Sequence, residues 1–229
     1  MQLTATALRG LHALAADLLD LVAPPLCAAC DAPYPAQPPL CASCRTYLLA
    51  ADERPADVSV AFEHGASLAR AIYRAKYDGD PNLAVALGAL LVETFEAPPE
   101  PDDAIVPVPL HPRRLRERGY NQARELARPL ARHLRVPVLT DVVERARDTP
   151  SQTRLDRAAR RRNVADAFTV TRPEGVRGRR VLLVDDVVTT GATLASLRAT
   201  ILATGARSVR SVALSRAALA AGAPSREGK

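Results

Sequence analysis

The stretch VLLVDDVVTTGATL, residues 181–194, sets four apolar residues ahead of two adjacent carboxylates and follows them with glycine and hydroxylic residues. The apolar run predicts a buried strand that delivers Asp185 and Asp186 to its carboxyl end. Backbone N–H groups of the following loop and helix start can wrap a phosphate. Thr189, Thr190 and Thr193 add hydroxyls, and Gly191, next to Ala192, permits close approach. A carboxylate pair, in turn, accepts hydrogen bonds from two vicinal hydroxyls. A sugar 5-phosphate carries both groups, which explains negative charge beside an anion cradle: the carboxylates read the sugar and the loop holds its phosphate. The plainer alternative is a buried strand followed by a capped helix. Against it, buried strands seldom end in two acidic residues that lack a partner.

Other phosphate motifs fit less well. A Walker A loop ends in Gly-Lys-Ser/Thr and a dinucleotide fingerprint reads G-x-G-x-x-G, and neither pattern is present. A receiver domain shows its VDD run early, whereas here only 43 residues follow Asp186.

Outward from this stretch, strand-like and helix-like segments alternate. Val58 to Phe62, AIVPVPL (104–110), VPVLTDVV, AFTV (167–170) and SVRSVALSR read as extended. Helices are expected around Leu68 to Tyr77, Pro81 to Phe95, NQARELARPLARHL, and Thr193 to about Thr204, where Gly205 follows. HPRRLRERGYN reads as a loop. Such alternation predicts an α/β fold, a parallel twisted sheet flanked by helices that binds ligands at the carboxyl ends of its strands. Expected units are an N-terminal helix and cysteine module over 1–50, the sheet domain over 58–218, and a disordered tail over 219–229.

All four cysteines lie in LCAACDAPYPAQPPLCASC as Cys27-x2-Cys30 and Cys41-x2-Cys44, separated by ten residues. Two such knuckles complete a tetrahedral S4 shell, and a filled shell makes a structural rather than a catalytic zinc site. Two disulfides, a redox dithiol and an iron–sulfur cluster are the alternatives. Disulfides are disfavoured without a secretory signal, and a redox dithiol needs no duplicate; zinc versus iron stays open.

The first residues resemble a signal peptide in leucine content only. Asp17 and Asp20 interrupt the run, no basic region precedes it, and Leu8, Leu11, Leu14, Leu18 and Leu21 have the spacing of an amphipathic helix. No run spans a bilayer, so a cytoplasmic location is expected. The 229 residues, 48% apolar, suffice for a core, and the formal charge is +6. Excess charge is local: residues 145–163 hold seven Arg against two Asp. That patch suits a phosphate-rich partner, although 3% aromatics argue against a broad stacking platform for single-stranded nucleic acid.

Residues 181–193 resemble the 13-residue 5-phosphoribosyl 1-pyrophosphate (PRPP) motif of type I phosphoribosyltransferases. VPVPLHPRRLRERGYNQARELA, TPSQTRL with R-x-x-N and A-F (149–168), LLVDDVVTTGATL and the paired C-x-x-C together are similar to the ComF family, from Leu26 to about Arg216. That family is associated with bacterial competence and use of external DNA. The resemblance implies a zinc ribbon joined to a phosphoribosyltransferase domain that binds PRPP with Mg2+. Asp185 and Asp186 would orient the ribose. The loop after the first core strand would contact pyrophosphate, making Arg113, Arg114, Arg118, Gly119, Asn121 and Gln122 candidates, a solvated charged loop that opens a helix being the plainer alternative, with Lys76 a further one unless it pairs with Asp78 or Asp80. Arg154, Arg157 and Arg161, at helical spacing, fall where these enzymes keep a closing loop. They would cover pyrophosphate or contact DNA phosphates, a solvated helix being the plainer alternative. The acceptor stays open. The rival reading is a non-catalytic, PRPP-sensing protein that binds single-stranded DNA within a DNA-uptake machinery. His12, His64, His111 and His133 show no triad or metal-like spacing.

Overall fold

Apolar runs without polar alternation become central strands because both faces of a parallel sheet are covered. In the computed structural model, which describes residues 24–34, 39–51, 58–96, 100–146 and 167–217, this holds for residues 181–184, all buried. The predicted N-terminal helix, Arg154, Arg157, Arg161 and the tail lie outside the described residues.

The chain runs α1 (Ala42–Arg45), β1 (Val58–Glu63), α2 (Ala66–Tyr77), α3 (Pro81–Glu93), β2 (Ala104–Pro107), α4 (Pro112–Arg118), α5 (Gln122–Leu134), β3 (Val143–Arg145), β4 (Phe168–Val170), a 3-10 turn, β5 (Arg180–Val188), α6 (Ala192–Ala203) and β6 (Ser208–Arg216). Four strands form a wholly parallel sheet in the order β1-β6-β5-β2. Val138 adds a parallel bridge to Ile105 at the β2 edge, while β3 and β4 make a separate antiparallel ribbon.

Side chains alternate across β5, and the two faces carry separate cores. Leu182 and Val184 pack with Leu68 and Ile72 of α2, Leu87 and Leu91 of α3, and Leu126 and Leu130 of α5. Val181 and Leu183 pack on the opposite face with Leu194, Leu197 and Ile201 of α6 and with Phe168 of the ribbon. The alternation continues into the acidic pair, so Asp185 inherits the α6 face and Asp186 the α2 face.

HPRRLRERGYN contains the helix α4 rather than being a loop throughout. None of its residues is buried, so no apolar stripe announced it. Its signals are local: Pro112 at the first position, His111 accepting from the Arg113 N–H at 3.3 Å, and Gly119 ending it at φ 77.

The cysteine knuckles share the first core, with Cys27, Ala28, Leu40 and Cys44 buried beside α2 and α3. Asp31 on the first knuckle pairs with Arg70 at 2.6 Å and Arg74 at 2.5 Å, both on α2. The segment after the second knuckle bridges β1 through Ala50 and Phe62.

Candidate functional site

The carboxyl ends of β1, β6, β5 and β2 form one rim, and β5 brings Asp185 and Asp186 to its middle. A concave pocket beyond them is lined by Asp185 and residues 187–194. Gly191, at φ 74, turns the chain into α6 in a left-handed conformation that costs glycine little. The Thr190 hydroxyl accepts from the Ala192 N–H at 3.3 Å, which fixes the loop. First-turn N–H groups of a helix have no partner within it, and Ala192, Thr193 and Leu194 at the start of α6 line this pocket. The predicted loop and carboxylate pair are therefore adjacent.

The two acids differ. Asp186 Oδ2 lies 2.9 Å from Lys76 Nζ in the last turn of α2, with side chains only 14% and 19% exposed. Asp185 Oδ1 accepts from the Asp186 backbone N–H at 2.9 Å. Burial, then the charge of Asp186, raise the Asp185 carboxyl to about 7; Lys76 and Arg145 of β3 pull the other way.

Two residues that sequence spacing did not flag join this rim. His64, just after β1, places Nδ1 2.8 Å from the hydroxyl of Ser215 on β6, itself wholly buried. Burial and then the Lys76 charge hold the imidazole below its usual pKa, against the pull of Asp186. No local signal finds this contact, because 151 residues separate its partners.

The structure puts the other candidates on or beside α4, after β2. Arg113 pairs with Glu117 at 2.9 Å; Arg118 donates to Gln122 at 3.0 Å and lies 5.2 Å from the centre of the Tyr77 ring. Arg114 is on the same helix. Asn121 caps α5, accepting from the Ala123 and Arg124 N–H groups at 3.0 and 3.4 Å and donating to the Val108 carbonyl at 3.0 Å. Lys76 meets Asp186 and not Asp78 or Asp80, which bind Arg74 and the Asn82 N–H respectively.

At the second site the sulfurs of Cys27, Cys30, Cys41 and Cys44 all lie within 4.8 Å of one another. Tetrahedral zinc with bonds of about 2.3 Å has sulfur–sulfur edges of about 3.8 Å. Cys30 and Cys41 stand 3.8 Å apart, so the donor set fits that ion. Burial raises Cys27, but backbone N–H groups of Cys41, Ala29 and Cys30 outweigh it and bring the thiol to about 6. Burial and neighbouring thiols push Cys44 up to about 12. Four thiolates thus need a cation to coexist.

Residues 120–227 match the family described as the phosphoribosyl transferase domain, and with the parallel sheet and its acidic-pair loop this defines the class of the fold. The DNA utilization protein YhgH of Escherichia coli (strain K12) is 37% identical over 158 residues, 67% of this chain and 68% of that protein. Competence protein F of Haemophilus influenzae is 40% identical over 116 residues, 50% of this chain and 51% of that protein. Among solved structures, adenine phosphoribosyltransferase from Leishmania tarentolae aligns with a TM-score of 0.41 at 16% identity, over 74% of this chain and 94% of that one. The chain belongs to the ComF family of competence and DNA-utilization proteins.

Proposed function

We propose that this protein binds PRPP with Mg2+ at the carboxyl end of β5 and transfers the phosphoribosyl group to an acceptor yet to be identified. One observation carries the reading: two carboxylates stand directly beside a hydroxyl-rich loop at a helix start. Asp185 and Asp186 bind the ribose hydroxyls, and residues 189–193 hold the 5-phosphate through backbone N–H groups and threonine hydroxyls. Arginines of α4 face the leaving pyrophosphate, since a planar guanidinium grips phosphate oxygens in pairs. Mg2+ supplies further charge neutralisation on the pyrophosphate when it arrives with the ligand. Catalysis by this chain is then positioning and charge stabilisation, without a covalent enzyme intermediate. The four cysteines hold a structural zinc, and a reducing cytoplasm suits their thiolates.

Titration calorimetry with Mg-PRPP tests this reading. Asp186→Asn is expected to weaken binding by about 1.5–3 kcal/mol through a lost charge-assisted hydrogen bond. Gly191→Val is expected to abolish it, because a branched side chain neither adopts φ 74 easily nor leaves room for phosphate. Unchanged affinity in both variants overturns the site.

The relatives named for DNA utilization and competence favour a second reading, in which PRPP is sensed and single-stranded DNA is bound by the arginine-rich segment 145–163. DNA affinity would then fall with salt at a log–log slope of about −0.7 per phosphate neutralised, reduced by about one to two units in an Arg157→Ala/Arg161→Ala variant.

A further inference from the structure

Lys76 and His64, both on the rim, have no part in that reading. Lys76 is not a mobile surface lysine. The turn that carries it is pinned because the Tyr120 hydroxyl donates to the carbonyl of Ala75, with Asp80 O at 3.0 Å, and Arg74 is held by Asp31 and Asp78. Its ammonium and the Asp186 carboxylate are both mostly buried at 2.9 Å. The groups around the pair come from every neighbouring element: Asp185 and Asp186 from β5, Lys76 from α2, His64 after β1, Ser215 from β6 and Arg145 from β3.

A ligand with two phosphate-bearing ends approaches this rim as a polyanion, and two free carboxylates there would repel it. We propose that Lys76 is a positioning residue that holds Asp186 in one orientation and cancels its charge, so that the ligand meets an acidic pair carrying at most one negative charge. The proposal rests on the reading of Asp185 and Asp186 as the sugar-binding pair. Alternation along β5 makes it work: Asp186 is turned toward α2 and its lysine, while Asp185 is left on the other face to take up a proton near neutrality. Only one oxygen of Asp186 is engaged by Lys76, which leaves the other for a hydroxyl.

The test uses the full chain with Lys76→Met and Lys76→Arg, reading aspartate side-chain carboxyls by 13C NMR without ligand and Mg-PRPP affinity by calorimetry. Lys76 opposes protonation of the pair, so its removal is expected to raise the apparent titration midpoint by about one unit or more. In Lys76→Met, Mg-PRPP affinity at pH 8 is expected to fall about tenfold or more, with a smaller loss at pH 6, where the pair holds its proton. Lys76→Arg is expected to restore both properties. An unmoved midpoint in Lys76→Met overturns the proposal, as does equal loss of affinity at both pH values. Should Lys76→Met fail to fold, Lys76→Gln carries the same test. Failure of the wild-type chain to bind Mg-PRPP overturns the ligand assignment alone, because the ligand-free titration still reports whether Lys76 governs the pair.

Discussion

Gly88 of α3 lies against the backbone of α5 at Leu126, so closely that a Cβ added at Gly88 would stand 2.4 Å from the Leu126 carbonyl oxygen. Backbone cannot yield as a side-chain tip can. Gly88→Ala is therefore expected to push the two helices apart and destabilise the chain by about 1–3 kcal/mol despite alanine's better helix propensity. Urea unfolding measures it, and a gain in stability would show that α3 and α5 are further apart than described.

Asp185 gives a pH signature. Its carboxyl is raised from 3.8 to about 7, so the folded chain binds more protons than the unfolded one between those values. The contribution to stability is full below about pH 4 and is lost as pH rises through about 7. Asp185→Asn, which keeps an oxygen for the Asp186 N–H, is expected to stabilise the protein by about 1–3 kcal/mol at pH 8 and to do little at pH 4. Thermal melts at the two pH values check this; equal shifts at both would place the effect elsewhere.

Metal removal is expected to act on the whole chain. Cys27, Leu40 and Cys44 share one core with α2 and α3, so chelation or Cys41→Ser exposes apolar surface that the helices need. Scanning calorimetry is expected to show a single transition shifted to lower temperature, and metal analysis one zinc per chain. Two separate transitions, with the upper one unmoved, would count against this coupling.

At the opposite end of the sheet Asp102, 6% exposed, accepts from Arg210 at 2.6 and 3.2 Å, and the same guanidinium lies 5.6 Å from the centre of the Phe95 ring. Asp102→Ala strands a partly buried cation and is expected to cost about 1–3 kcal/mol. Mg-PRPP affinity is expected to persist, since Asp102 precedes β2 and the site lies at the carboxyl ends. Loss of binding without unfolding would show coupling along the strands.

What could be read from the chain beforehand was what is local. β5, β6 and the helices α2, α3, α5 and α6 announce themselves through apolar runs or periodicity, and residues 189–193 through composition. Their limits differ from expectation by a residue or two, as at Ala192–Ala203 and Pro81–Glu93. AIVPVPL shortens to the strand Ala104–Pro107, which lies between β5 and the Val138 bridge. α4 escaped because none of its residues is buried and its signals lie at its ends. The antiparallel pairing of β3 with β4 depends on partners far apart in sequence. The pairing of Lys76 with Asp186 and of His64 with Ser215 likewise depends on strand order, which no motif encodes.

The strand order β1-β6-β5-β2 also dictates a timetable. Among the described residues β1 pairs in the sheet with β6 alone, each partner lying 153 residues further along the chain, as Ser215 does from Phe62. At about 5–20 residues per second on the ribosome, β1 waits roughly 8–30 seconds for its neighbour. During that interval Val58, Val60 and Phe62 form an apolar edge that invites pairing with other chains. The knuckle segment reaches β1 through Ala50 and Phe62 on the opposite edge, since Phe62 also pairs with Ser215, so the edge that awaits β6 has no cover from it and yield is expected to depend on how fast the rest of the chain is made.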